Sequence, residues 1–422
     1  MTDAAGQDTA TWREVAPRVL VRTNPGFGMN TGLVIGDERA LIIDTGAGPR
    51  QGCAILTAVR ERTDLPLIAV NTHAHFDHYF GNAVLAANGV EDIWATSSCA
   101  AAISEHGNSQ RPAVAALEAE MAACEKLGLP ARWEESLPLP FPVTGAIGFS
   151  GQAQFHPLKL AAHIAKGLQI FENTKALAFL GNQVQTPKGT ISAENIIVAT
   201  HFPMLNKHGT YFLKLYQQRS YVIALENAPG IEGMYLDCAE NGLSIRSAGQ
   251  WLLLGGGGHR TGKEGLGWRL PELAAEKFYP KAQIAARWAT QDCMSLDGMP
   301  YIGRYSKATP HLYVATGFQK WGMSSSMLSA MLLTDLIQGK ENPYAELFSP
   351  SRSMLHKQLL CNGVETTMNL LRPTKPRCPH LGCALRWNKH EHSWDCPCHG
   401  SRFDEDGTLL DNPATGNLKK KP

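Results

Sequence analysis

From residue 18 onward the apolar positions fall into short runs that read as a strand meander. The runs are Val19-Leu20-Val21, Thr31-Gly32-Leu33-Val34-Ile35 and Ala40-Leu41-Ile42-Ile43-Asp44, and Gly36-Asp37-Glu38 turns the chain between the last two. Helix-period spacing then predicts an amphipathic helix over about Gln51 to Arg62, followed by a buried strand Leu67-Ile68-Ala69-Val70. From about Cys124 the character changes. Leu127-Gly128-Leu129-Pro130 and Leu137-Pro138-Leu139-Pro140-Phe141-Pro142 mark a boundary or a surface loop. Beyond it the pattern predicts a helix near Leu158 to Ala165 and strands at Ala176–Phe179, Gln183–Thr186 and Asn195–Thr200. Further apolar pieces are Arg219–Leu225 and Trp251–Gly258. His311 to Met323 reads as a buried strand and a Gly-bearing turn. Ser324-Ser325-Ser326 then caps a helix over about Met327 to Ile337 with one apolar face. Short strands return at Ala384–Trp387 and Ser401–Phe403.

Composition narrows the classes. At 422 residues the chain is long enough for two or three domains. Its 39 basic and 38 acidic residues imply neither a nucleic-acid nor an anionic-membrane surface, and Lys419-Lys420-Lys421 reads as a solvated terminus. No apolar stretch has the length of a membrane span, and Met1 to Arg13 is polar rather than a signal peptide. Ten cysteines in a chain of this size do not make a disulfide scaffold. The expectation is a soluble cytoplasmic protein.

The most specific chemistry lies near the end, where Cys378-Pro379-His380 is followed by Cys396-Pro397-Cys398-His399-Gly400-Ser401. Two thiolates and two imidazoles from neighbouring loops suit a [2Fe–2S] cluster with both Cys on one iron and both His on the other. A structural zinc would also accept this set, but zinc ligands are usually spaced by two or more residues. Cys383 and Cys398 lie beside the ligands, where a loop-to-loop disulfide would clamp the site. Residues 372–422 resemble Rieske domains. The resemblance implies a small antiparallel β fold, Cys378 and Cys396 on one iron, and His380 and His399 on the other. Phe403 stands where high-potential members carry Tyr, so a mid-range potential is expected.

A second constellation, Thr72-His73-Ala74-His75-Phe76-Asp77-His78, puts three His and one Asp in six residues after a buried strand. With Asp44-Thr45-Gly46 it resembles the metallo-β-lactamase superfamily, over about Val19 to Ala123. That implies a partial αββα sandwich, zinc at His73, His75, Asp77 and His78, and hydrolysis. The ligands such folds take from their second half have no counterpart beyond residue 123.

Between them, residues 124–350 resemble the later two-thirds of the D-amino-acid-oxidase-like flavoproteins. The resemblance rests on Gly317 to Met323 and on Asp297-Gly298-Met299-Pro300 with Arg304. It implies FAD, with Gly317, Phe318, Gly322 and Met323 lining the flavin ring. The strand–Gly-x-Gly-x-x-Gly–helix unit that holds the pyrophosphate is absent. Gly26-Phe27-Gly28 is followed by a strand and a turn, and Gly255 to Gly258 ends a strand.

The expected architecture is therefore multidomain α+β. A lactamase-like piece occupies 1–123, a flavoprotein substrate region 124–350, a linker 351–371, and a Rieske domain 372–422. The expected activity is an FAD-dependent oxidoreductase acting on an amine or amino-acid-type substrate. A Rieske cluster would pass electrons to or from an acceptor or donor protein. The alternatives are a metal-dependent hydrolase, or an inactive fusion that only binds the cluster.

Overall fold

The computed structural model describes residues 10–24, 29–90, 92–134, 137–141, 143, 145–204, 208–239, 242–374 and 376–419, and only the backbone for 106–113. The Gly26-Phe27-Gly28 turn, Pro142, the His106 side chain, Lys420 and Lys421 lie outside the described residues. The chain divides into two compact units, Met1–Pro157 and Leu158–Pro422.

The first unit is built on one six-stranded sheet in sequence order: β1 (Trp12–Ala16), β2 (Val19–Thr23), β3 (Asn30–Ile35), β4 (Ala40–Ile43), β5 (Leu67–Val70) and β6 (Ile93–Trp94). Pairing is antiparallel through β4 and parallel after it. The parallel step needs a crossover, which α1 (Pro49–Arg60) supplies. Alternate strand residues Leu20, Leu33, Ile42, Leu67 and Ala69 bury against Ile55 and Val59 of that helix. Short helices α2 (Phe76–Tyr79) and α3 (Asn82–Ala87) follow β5. The long α4 (Ser97–Lys126) leads to a two-stranded hairpin of β7 (Ala131–Glu134) and β8 (Ala146–Phe149). Among the described residues this is one sheet with a hairpin, a partial sandwich as expected. The boundary expected at 123/124 falls inside α4. Apart from Cys124, Ala115 to Lys126 is a run of strong helix formers, and the stop comes only at Gly128 and Pro130.

The second unit begins with α5 (Pro157–Ile164), β9 (Ala178–Leu180), β10 (Gln183–Thr186), β11 (Gly189–Ser192), β12 (Ile196–Val198), α6 (Tyr211–Lys214) and β13 (Tyr216–Glu226). Next come β14 (Met234–Leu236), β15 (Ser244–Ala248), β16 (Trp251–Arg260), α7 (Arg269–Phe278), β17 (Gln283–Met294), β18 (Tyr301–Arg304) and β19 (Leu312–Thr316). The chain then forms α8 (Gly322–Ile337), α9 (Lys357–Leu371), β20 (Arg386–Asn388), β21 (Ser393–Asp395), β22 (Arg402–Phe403) and β23 (Leu409–Asp411).

The largest sheet of this second unit, β14-β15-β16-β13-β17, is antiparallel throughout. A smaller sheet, β12-β19-β18, is parallel between β12 and β19, and all five residues of β19 are buried. The last four strands make a small antiparallel sheet with its own core of Leu385, Phe403, Ala414 and the four late cysteines.

Two expectations change here. Residues 357–371, read as linker, are a regular helix. The helix expected from Met327 starts at Gly322, and its serines are not caps. Ser324 and Ser326 sit in the first turn and donate back to the Trp321 and Met323 carbonyls.

Candidate functional site

Two loops in the last sheet close with the same hydrogen bonds. Cys378 N donates to Cys383 O and Gly382 N to Cys378 O. Cys396 N donates to Ser401 O and Gly400 N to Cys396 O, all four at 2.9 Å. Both loops turn through a glycine of positive φ, Gly382 at 81° and Gly400 at 83°. The matched closures aim Cys378 and His380 from one loop at Cys396 and His399 from the other. The His380 and His399 rings stand edge to face, 4.9 Å apart. The Cys378 and Cys396 thiols are in hydrogen-bond contact, and that contact, with burial, pushes Cys378 far above the usual thiol range.

His399 is 1 % exposed, and neither ring nitrogen has a well-formed hydrogen-bond partner, although the Phe212 backbone comes near enough to favour its charged form. Burial, helped by the Arg260 charge, lowers its pKa to about 4, so it stays neutral, the form that ligates. A buried imidazole with unpartnered nitrogens beside two crowded thiols is costly unless a cation takes their lone pairs. These four residues fit a [2Fe–2S] cluster. Ser401 is fully buried. Its Oγ accepts from Ala414 N at 2.9 Å, and its hydroxyl contacts the Cys378 thiol, the sort of contact that tunes a cluster.

Cys383 and Cys398 carry no disulfide in this structure. Their sulfurs and that of Cys396 lie within 4.8 Å of one another, with Cys396 contacting both. The thiol contacts hold Cys383 below the usual range and push Cys398 above it. With three thiols sharing one pocket, the expected pair is adjacent but not bonded.

Residues far away in sequence pin this site, and nothing in the motif announced them. Arg260 donates to Pro397 O at 3.0 Å, Cys398 O at 3.3 Å and Asn362 Oδ1 at 2.9 Å, and lies over the Tyr216 ring. Gln291 Nε2 donates to Gly400 O at 3.0 Å. A Cβ on Gly400 would come within 2.3 Å of Gln217 Cγ, so only glycine lets β13 approach the second loop. Phe202 and Phe212 meet the His399 ring edge to face at 6.4 and 6.3 Å.

The expected flavin turn is also laid out by the chain. Gly317, at φ 71°, fits between Leu215, Ser295 and Tyr301, and Gln319 N donates to Cys293 O. Phe318 is half-buried, and nothing lies near where a Gly322 side chain would start. Met323 is exposed. Asp297 is held by the Arg352 guanidinium at 2.6 and 2.7 Å, and Arg352 also binds the Met299 and Pro300 carbonyls. Burial works to raise the Asp297 pKa, but Arg352 prevails and keeps it below the usual carboxylate range. Arg304, the other residue of that motif, is exposed on β18.

In the first unit, Asp44 accepts from Thr72 N and Thr72 Oγ1 at 2.8 Å each, and lies 2.7 Å from His78 Nδ1. Burial opposes ionisation of both groups, yet their mutual attraction lowers the Asp44 pKa and raises that of His78. His78 Nε2 faces Asp77 at 3.4 Å, while His73 and His75 are exposed with rings 5.5 Å apart. His75 Nδ1 lies 3.7 Å from Asp77 Oδ1 and the His73 and His78 rings are 4.0 Å apart, so the four expected zinc ligands are neighbours around the start of α2, but no three of their donor atoms meet at one point. Among the described residues, three metal-type donors meet only at Cys383, Cys396 and Cys398.

Comparison with known proteins bears on the whole chain. The FAD dependent oxidoreductase family model matches residues 69–336, and the Rieske [2Fe-2S] domain model matches 356–422. YhfW of Bacillus subtilis (strain 168), named as a Rieske 2Fe-2S iron-sulfur protein, is 33% identical over 369 residues, covering 73% of this chain and 72% of that one. The chain belongs to the FAD dependent oxidoreductase family. It is a member with a C-terminal Rieske domain and a partial metallo-β-lactamase-like segment, matched over 25–102. The cytochrome b6-f complex iron-sulfur subunit of Nostoc punctiforme is 51% identical over 41 residues, 10% of this chain and 23% of the subunit. Glycine oxidase from Geobacillus kaustophilus gives a TM-score of 0.48 at 24% identity over 55% of this chain and 69% of that one. A metallo-beta-lactamase from Pontibacter korlensis gives 0.21 at 23% identity, over 24% and 49% of the two chains.

The family makes this an FAD oxidoreductase, and the Rieske match makes [2Fe–2S] its second cofactor. The chain's residues fit the two unequally. The cluster finds a complete ligand set. For FAD the turn expected to face the ring, Gly317 to Met323, is formed, but no Gly-x-Gly-x-x-Gly occurs anywhere in the sequence to open a helix under the pyrophosphate. Gly255 to Gly258 lies inside β16, paired to β13.

Proposed function

We propose that this chain oxidises an amine or amino-acid-type substrate and moves the electrons singly through a [2Fe–2S] cluster. Cys378 and Cys396 hold one iron, and His380 and His399 the other. The observation that carries the reading is the buried, unpartnered His399 ring meeting His380 and the two thiols across matched loops. The substrate class rests on the D-amino-acid-oxidase-like character of residues 124–350. There Gly317, Phe318, Gly322 and Met323 would face the flavin ring, with Arg352 fixing the approach through Asp297. Exposed thiols at Cys53, Cys238 and Cys361 suit a reducing compartment such as the cytoplasm. The test is anaerobic titration of the iron-loaded full chain, with FAD supplied, against glycine, D- and L-amino acids and secondary amines. Bleaching of the cluster absorbance by at least one of them is expected. A loaded cluster that none reduces would overturn the substrate assignment.

A second reading, zinc at His73, His75, Asp77 and His78, is favoured by one atom: Asp77 Oδ1 is buried with no hydrogen-bond partner. It requires the exposed His73 and His75 to turn inward. Zinc bound at one equivalent, and lost in His75→Ala, would support it. No zinc after dialysis would remove it.

A further inference from the structure

Helix α9 is patterned the wrong way round for a surface helix. Its buried face is polar: Asn362 and Asn369, 3 and 2 % exposed, point inward. Asn362 accepts from Arg260 and donates to Leu213 O, Asn369 donates to Glu365, and Glu365 pairs with Lys263 at 2.5 Å. The outer face is apolar. Leu360, Val364, Met368 and Leu371 are 72, 64, 65 and 75 % exposed, at spacings that align them in one stripe. A stripe of this kind, uncovered on the protein surface, marks an interaction site.

Two features say what covers it. The first is continuity with the cluster. Arg377 donates to Leu370 O and Arg372 O at the end of α9 and to Gly382 O in the first cluster loop, and Ala384 N donates to Asn369 O. The stripe therefore ends where the half-buried His380 reaches the surface, while His399 is enclosed by Phe202 and Phe212. The second is charge. The single acidic residue of α9, Glu365, is turned in onto Lys263, leaving exposed Lys357 and Arg372 at the two ends of the stripe.

We propose that the outer face of α9 is the docking surface for an acidic one-electron carrier protein with an apolar contact patch, exchanging electrons with the cluster on its His380 side. The proposal rests on the cluster assignment above. Electron-transfer encounters of this kind are small, under about 1,200 Å², and are steered by opposite charge around an apolar centre. One electron passes between carrier and cluster. In the reducing direction the carrier is oxidised and the cluster reduced, with no bond made or broken.

The test uses the full chain with its cluster loaded and a reduced plant-type ferredoxin as the acidic probe. At about −400 mV that ferredoxin lies below a Rieske centre, so transfer runs downhill. Met368→Glu with Leu371→Glu should slow cluster reduction by ferredoxin at least tenfold, and Arg372→Glu should slow it and flatten its salt dependence. Reduction by dithionite should stay within twofold, with the cluster spectrum and melting temperature unchanged. Equal ferredoxin rates in variant and parent would overturn the proposal, as would equally fast reaction of the parent with basic cytochrome c. A parent dimer that the double variant dissociates would assign the face to a second copy. Variant-sensitive binding to anionic phosphatidylserine vesicles would assign it to lipid. Either result overturns the proposal. A chain without a Rieske spectrum removes the cluster reading itself, and that failure is visible before any carrier is added.

Discussion

Single side chains in this molecule are set by what they are buried against. Lys214 is 6 % exposed, donates to Pro350 O at 2.7 Å and lies over the Tyr211 and Tyr301 rings. Burial, with Arg352 nearby, lowers its pKa from 10.5 to about 8. The folded state then binds fewer protons than the unfolded one between those values, so stability rises with pH across that window. Below pH 8 the buried ammonium costs about 3 kcal/mol relative to an unperturbed lysine. Lys214→Met should abolish the rise, read as the pH dependence of the urea midpoint from pH 7.5 to 10.5. Gly400→Ala should cost about 1–3 kcal/mol, from positive φ and from collision with Gln217. Adding Gln217→Ala should restore part of that loss, and a strictly additive double mutant would mean the contact is not the cause. Cys398→Ser should bind its cluster yet lose it faster on heating, because the Cys383–Cys398 contact ties the two loops together whether or not it oxidises. Equal half-lives at raised temperature would count against that clamp.

Among the elements, the Rieske sheet is fixed to β13 by a buried ionic network. Arg219, 2 % exposed, grips Glu391 through Nε at 2.9 Å and through a second contact. Arg402 binds Glu391 at 2.8 Å and both Asp395 and Asp411 at 3.0 Å, while Tyr221 donates to Glu391 at 3.1 Å. Removing one partner leaves a charge buried and unpaired. Glu391→Ala should therefore cost about 3–5 kcal/mol and raise hydrogen exchange in β20–β23 before the rest of the unit. Exchange that rises uniformly would show that the network does not hold this interface. None of this was legible in the sequence, because Arg219 and Glu391 are 172 positions apart and carry no motif. What could be read was local. The meander β2–β4, the strands β5 and β10 and helix α1 follow from periodicity and turn residues, and the proposed cluster ligands are named from their spacing. Helix α9 does not show in the sequence because its buried face is polar, so the hydrophobic pattern points to solvent where the fold places the interior. The serines of α8 looked like caps because serine favours that position. The helix instead begins at Gly322, a turn earlier, where the Gly317 turn releases the chain.

Taken whole, the chain supplies every residue of the proposed cluster site and only part of what the proposed flavin site needs. The cluster site is closed by its own loops and braced by β13, β16 and α9. The proposed flavin turn at Gly317 to Met323 comes without a Gly-x-Gly-x-x-Gly unit in the sequence, so FAD should be held loosely. Gel filtration of the purified chain should strip it below stoichiometry, and Gly322→Leu should remove what remains. Stoichiometric FAD surviving that step would reveal a nucleotide site built without a Gly-x-Gly-x-x-Gly unit. Among the described residues no helix is long and apolar enough to cross a membrane. The central claim is that Cys378, His380, Cys396 and His399 hold a Rieske cluster. Its most direct test is redox-titrated electron paramagnetic resonance on the full chain, with iron and sulfide quantified. The prediction is two irons and two sulfides per chain, a Rieske rather than an all-Cys spectrum, and a midpoint within roughly −150 to +300 mV. Stoichiometric zinc without iron, or a ferredoxin-like midpoint near about −400 mV, would contradict it.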